Sequence, residues 1–274
     1  MPAFTEISVA QLSRRIGLPD TPVLLDVRIP EDIATDPHLI PGAIRLAHNQ
    51  VLDAAHRFAG RSIVVYCQKG FKLSQGAAAL LRSAGVAAET LEGGQFAWRD
   101  AGQPMVPIAS LPIASPTGET LWVTRLRPKI DRIACPWLIR RFIDPSARFL
   151  FVTPSEVQGV AAKFNATPFD IEGVPFSHDG PNCTFDTMIK TFGLSHPPLE
   201  TLATIIRAAD TNRHDLAPEA SGFLALSLGL SRMYRDDIAQ LEAALPLYDA
   251  LYRWARDAQD ESHDWPAAST GAAK

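Results

Sequence analysis

Hydrophobic positions in the first hundred residues come in short bursts. Residues 23–27 read VLLDV and residues 62–66 read SIVVY, two apolar runs of strand length, and residues 86–91 form a third before the Gly93–Gly94 turn. Between the last two the period changes. Leu73, Ala77, Leu80 and Leu81 recur at helical spacing as far as Ser83, and Gly85 stops the pattern. Short strands alternating with helices predict a parallel sheet with helices on its faces. Reactive groups in such sheets belong at the carboxyl ends of strands, and Cys67 follows directly on SIVVY.

From Ala101 to Gly118 no residue is charged, and Pro104, Pro107, Pro112 and Pro116 keep the chain extended, so this stretch reads as a linker. Its Ile108, Leu111 and Ile113 predict that it lies along a surface. Beyond it, residues 121–125 and 147–152 read as strands, and Asp131 is placed to cap a helix that runs through Ile143. Leu199, Leu202, Ile205, Ile206 and Ala209 form one helical stripe. Ile238, Leu241, Leu245, Tyr248, Tyr252 and Ala255 form another. Pro246 interrupts the second stripe and it lasts under three heptads, which favours a pair of core helices over a coiled coil. The expected architecture is an α/β domain over residues 1–107, a linker over 108–119, a mostly helical α+β domain over 120–258 and a polar tail over 259–274.

The chain has 274 residues, 46% of them hydrophobic, enough to bury a substantial core. No apolar run approaches the roughly 18–20 residues that span a bilayer. The first residues lack a basic segment followed by an apolar one, so a cytoplasmic setting is expected and no membrane partner. The net charge of −4 falls entirely beyond residue 107. Residues 122–148 nevertheless hold seven basic side chains against Asp131 and Asp144. That excess suits an anionic ligand, though a solvated helix face is the plainer reading. An acidic chain without a recognisable reading helix does not favour nucleic acid. Cys67, Cys135 and Cys183 are odd in number and widely spaced, which excludes a disulfide framework and a zinc ribbon.

A cysteine leaving a buried strand into a glycine-containing loop and a helix has its own logic. Consecutive backbone N–H groups at the helix start converge on an anion and lower the thiol pKa. The loop here is Cys67-Gln68-Lys69-Gly70-Phe71-Lys72, and a small buried hydrophobe is the alternative reading of its cysteine. Residues 24–28 (LLDVR), 38–46 (HLIPGAIRL), 65–70 (VYCQKG) and 91–99 (LEGGQFAWR) resemble, in order, the signature of a rhodanese domain. The resemblance implies a sulfurtransferase fold in which Cys67 carries a persulfide. It makes residues 68–72 the anion-binding loop and gives Asp26 and Arg28 structural places. It calls for no cofactor in the transfer, only a small sulfur donor and a thiol acceptor. The usual loop reads C-x-x-G-x-R-S. Here Lys72 replaces the arginine, Leu73 the serine, and Ser74 comes one position late. A lysine lacks the guanidinium fork, so sulfur transfer is expected without implying thiosulfate as donor.

In the second half, residues 124–144, 167–186 (TPFDIEGVPFSHDGPNCTFD), 207–220 (RAADTNRHDLAPEA) and 228–234 resemble the C-terminal domain of the chromate-resistance (ChrB-type) family. That resemblance implies an accessory or chromate-responsive regulatory role. Taken as residues, Glu172, His178 and Asp210, with Asp131 at a helix start, offer oxygen and nitrogen ligands for a divalent metal if the fold brings them together. A His-Asp-Gly sequence is also ordinary turn chemistry. Arg125, Lys129 or Arg132 would then suit an oxyanion beside the metal. Cys183 can be read as a sulfur acceptor, a ligand or an inert thiol, and Cys135, Trp137 and Trp254 as core. The function expected is a rhodanese-type sulfurtransferase associated with chromate resistance. The alternative is a chromate-responsive transcriptional regulator whose rhodanese domain binds sulfate- or chromate-like oxyanions, with 122–148 its only DNA-directed feature.

Overall fold

A computed structural model describes residues 5–115 and 118–261 of the chain. The apolar bursts of the N-terminal half become β2 (Val23–Asp26), β5 (Ile63–Tyr66) and β6 (Ala88–Leu91), joined by β1 (Glu6–Ile7) and β4 (Ala43–Arg45). They form one parallel sheet in the order β1-β6-β5-β2-β4. Both faces of β5 are covered, so all four of its residues are buried and its sequence is a continuous apolar run rather than an alternating one. The connecting helices are α1 (Val9–Ser13), α2 (Pro30–Thr35), α3 (Val51–Ala54), α4 (Lys72–Ser83) and α5 (Gly94–Asp100). Helix α4 spans the predicted stripe and begins one residue earlier.

The proline-rich stretch is partly structured. His38–Leu39 (β3) pairs antiparallel with Val106–Pro107 (β7), and Met105, Ile108 and Leu111 pack on the core. Ile113 does not: it is 77% exposed. Pro116 and the tail from residue 262 lie outside the described residues.

The second half is built on a smaller parallel sheet, β10-β8-β9, from β8 (Leu121–Arg125), β9 (Arg148–Val152) and β10 (Thr167–Pro168). Its helices are α6 (Asp131–Leu138), α7 (Val157–Phe164), α8 (Thr184–Thr191), α9 (Pro197–Asp210), α10 (Ala220–Met233) and α11 (Asp237–Asp257). Val123 faces α7 with Val157 and Ala166, while Trp122 on the opposite face joins the main core with the aromatic and aliphatic side chains of α6, α8, α9 and α11. The predicted helix through Ile143 exists, but after α6 its last turn, Ile139–Ile143, widens into a π-turn. Helix α11 runs unbroken through Pro246. Asp131 does not cap its own helix. The cap position is Ile130, at φ +34°, and no side chain bonds there.

One hydrophobic core passes through both halves, from Leu12, Ile16, Leu24 and Tyr66 to Phe142, Trp137 and Tyr252. The contact between the halves is close: the Gly42 N–H donates to the Phe142 carbonyl at 2.6 Å. Gly17 lies at φ +81°, and a Cβ there would sit 2.4 Å from the Phe142 ring and 2.8 Å from that of Tyr252. Gly17→Ala therefore combines backbone strain with overpacking, and is expected to lower unfolding free energy by about 2–4 kcal/mol in denaturant titrations. A change within experimental error would mean that the halves do not pack through this contact.

Candidate functional site

Cys67 leaves β5 at the centre of the N-terminal sheet and is 5% exposed. Its Sγ lies 3.4 Å from Ser74 Oγ. Burial works against the thiolate, but the Ser74 hydroxyl and the N–H groups of Ser74, Lys69 and Gly70 outweigh it, and the thiol titrates below its ordinary value. These donors include the first turn of α4, which starts at Lys72. The serine one place later than in the usual loop is thus the buried partner of the sulfur, and Leu73 is the residue turned partly outward. Lys69 and Lys72 are exposed and form no ion pair among the described residues, which leaves both ammonium groups open to an approaching anion. Phe71 between them is 65% exposed.

The loop is held by the Gly93–Gly94 turn. Gln95 N–H donates to the Cys67 carbonyl and Phe96 N–H to that of Gln68, both at 3.0 Å. A Cβ on Gly94 would lie 2.3 Å from the Cys67 oxygen and 2.5 Å from Gly70 N, so the approach requires glycine. Arg28 is buried and forked onto Asp26, with its Nη2 2.6 Å from Oδ2. It also donates to Gln95 Oε1 and to the carbonyls of Asp36 and His38. Asp26 and Arg28 thus tie the turn behind the cysteine loop to the sheet.

A second cluster lies in the C-terminal half, where β8 and β10 end. The ligand atoms of Asp131, Asp170 and His178 fall within 4.8 Å of one another. His178 Nε2 is 3.4 Å from Asp131 Oδ2, 3.5 Å from Asp170 Oδ1 and 3.3 Å from Asp210 Oδ2. His178 and Asp210 meet as the sequence suggested. Glu172 is exposed and makes none of these contacts; Asp170, two residues earlier, supplies the carboxylate instead. Asp170 went unseen because β10 is two residues long and contains a proline, so nothing in the sequence marks a strand end there. Arg127 and Ile130, in the connection from β8 to Asp131, and Asp170 itself lie at positive φ. Arg127 is held in place by carbonyls of Ser231 and Tyr234.

Asp131 reaches across to α8, accepting from the N–H groups of Thr184 at 2.6 Å and Phe185 at 3.1 Å. Asp170 Oδ2 pairs with Arg125 at 2.9 Å and Arg132 at 3.2 Å, and its Oδ1 accepts from Thr184 Oγ1. Two of the arginines in the basic stretch 122–148 therefore serve this cluster. Others bind elsewhere within the fold: Arg140 pairs with Glu242 and Arg141 with Asp249. Cys135 and Cys183 are fully buried, and burial followed by the Asp131 charge pushes both thiols far up, which disfavours the thiolate needed for transfer or ligation. His214, four residues after Asp210, contacts Ser221.

The hydrogen bond to Asp131 raises His178 to about 9 against the effect of its partial burial, with the charges of Asp131, Asp210 and Asp170 adding to the rise. Burial, then the charges of Asp131 and Asp170, push the Asp210 carboxyl up to about 6. A histidine whose folded pKa exceeds its unfolded one contributes stability that is complete below about 6.5 and is lost as pH rises through about 9. Chelator-treated protein should lose stability across that window, and His178→Gln should remove this part of the decline. Parallel stability–pH curves for the two proteins would show that the pairing is absent.

The comparisons with known proteins divide the chain in the same way. Residues 8–101 match the rhodanese-like domain model and residues 122–255 that of the ChrB C-terminal domain. Over 154 residues the chain is 35% identical to Protein ChrB of Cupriavidus metallidurans, a match that covers 55% of this chain and 46% of that protein. The match thus spans about half the length of that relative. Over 102 residues it is 30% identical to a sulfurtransferase of Allochromatium vinosum, covering 37% of this chain and 94% of the relative. A solved rhodanese-like domain protein from Staphylococcus aureus is 27% identical, with 35% of this chain and 91% of that one covered at a TM-score of 0.31. The chain belongs to the rhodanese-like family through its N-terminal half and carries a ChrB C-terminal domain in its second half.

Proposed function

We propose that the protein is a sulfurtransferase working through a persulfide on Cys67, in the service of chromate resistance. The observation that carries the reading is the convergence of the Ser74 hydroxyl and three backbone N–H groups on one thiol whose pKa they lower. The thiolate attacks the outer sulfur of a sulfane donor. As the new S–S bond forms, the donor's bond to that sulfur breaks and the donor leaves with the electron pair. An acceptor thiolate then attacks the same outer sulfur, and Cys67 Sγ keeps the bonding pair as it returns to the thiolate. The same N–H groups hold the negative charge in both anionic states of the enzyme. Lys69 and Lys72 draw in an anionic donor, as point charges rather than a fork. The association with chromate resistance rests on the likeness of the second half to Protein ChrB.

Intact-mass analysis after exposure to thiosulfate or a persulfide donor is expected to show a 67-specific sulfur adduct of about 32 Da, lost in Cys67→Ser. No adduct with any donor would overturn the reading. Alkylation adds a second check. Cys67 should react with iodoacetamide with a midpoint below the roughly 8.5 of a free thiol, while Cys135 and Cys183 stay unmodified in folded protein. Ser74→Ala should move that midpoint upward. An unchanged midpoint would show that the hydroxyl does not hold the thiolate.

A further inference from the structure

The carboxylate cluster of the second half has features that capping a helix does not require. Each of its two buried aspartates is held by scaffold donors at both oxygens and still turns one of them to a shared point. Asp170 Oδ2 is taken by Arg125 and Arg132, and Oδ1, which accepts from Thr184 Oγ1, also faces His178. Asp131 Oδ1 accepts from Phe185 N–H, leaving Oδ2 between Thr184 N–H and His178. Asp210 Oδ2 approaches the same ring nitrogen from the end of α9. A single imidazole N–H can donate to one acceptor, yet three carboxylate oxygens stand 3.3–3.5 Å from Nε2. Carboxylates held by outer partners and converging on one imidazole nitrogen are arranged as preorganised metal ligands are.

A separate observation points the same way. Thr124 is fully buried, and its Oγ1 has no hydrogen-bond partner among the described residues. It lies at the end of β8, one residue before Arg125, on the face opposite Val123 and alongside Phe169, which precedes Asp170. A buried hydroxyl without a protein partner is unfavourable, and this one stands at the strand ends that deliver Arg125 and Asp170, where a ligand or its water would complete it.

We propose that Asp131, Asp170, Asp210 and His178 bind one divalent cation. Three carboxylates against Arg125 and Arg132 leave one negative charge in excess, which the imidazolium proton of His178 offsets in the ion-free protein and a cation displacing that proton offsets when bound. Three oxygens and one imidazole suit manganese, iron(II) or magnesium. Among the described residues no thiol joins the group whose ligand atoms lie within 4.8 Å of one another, so a thiolate zinc site is not what these residues build. His178 is 42% exposed at its side chain, which gives the ion a path from solvent. This site is separate from Cys67 and does not depend on sulfur transfer.

The test is titration of the chelator-treated full chain with Mn2+ alone, following the loss of the aqueous ion's paramagnetic resonance signal. One ion bound per chain is expected, with spin-echo modulation from a single coordinated imidazole nitrogen. Asp210→Asn, which keeps the side chain's shape, and His178→Ala, at an exposed position, should each weaken binding at least about tenfold while circular dichroism is unchanged. His178→Ala should also lose the nitrogen modulation. An undiminished aqueous signal, bound Mn2+ without nitrogen modulation, or His178→Ala binding as tightly as the parent would each overturn the proposal.

Discussion

The first-turn N–H groups of a helix have no carbonyl within the helix to bind, and both sites of this protein are built on that deficit. At α4 the first-turn N–H of Ser74 turns onto the Cys67 sulfur, joined by those of Lys69 and Gly70 in the loop before the helix. At α8 those of Thr184 and Phe185 turn onto the Asp131 carboxylate. In each case the anion comes from another element, and the helix start fixes it without a charged side chain. The consequences differ. The sulfur, 5% exposed, has its thiolate favoured at the head of the loop, whereas the carboxylate, 1% exposed, becomes a fixed point for other charged groups.

Glycine makes the first arrangement possible and arginine the second. The cysteine loop must lie against the Gly93–Gly94 turn at distances that admit no Cβ, and the Asp26–Arg28–Gln95 network anchors that turn to the sheet. In the C-terminal half, Arg125 and Arg132 satisfy one oxygen of Asp170 and so orient the other. A bidentate or doubly paired carboxylate is rigid, which is what a site needs if its geometry is to precede its ligand. The two halves share a core through Phe142, Trp137 and Tyr252, and close contacts at Gly17 and Gly42 hold them together.

Much of this order is written locally. The strands around Cys67, the helix after it and the stripes of α9 and α11 follow from periodicity, because each is long enough or apolar enough to declare its face. The same is true of the surroundings of Cys67, since thiol, loop and donors occupy eight consecutive residues. Even there the partner serine was legible only as a misplaced residue. Whether residue 73 or 74 faces the sulfur is set by how α4 begins, after Phe71, and not by spacing to the cysteine.

The second cluster is a product of tertiary structure. Its members come from the first residue of α6, the stretch just after β10, the turn before α8 and the last residue of α9, up to 79 positions apart. The sequence by itself determined which residue types were available, and it singled out His178, Asp210 and Asp131. It could not choose Asp170 over Glu172, because both are acids in a segment with no periodic signal. That choice was made by a two-residue strand paired to β8, and pairing between distant segments leaves no mark in the segments themselves.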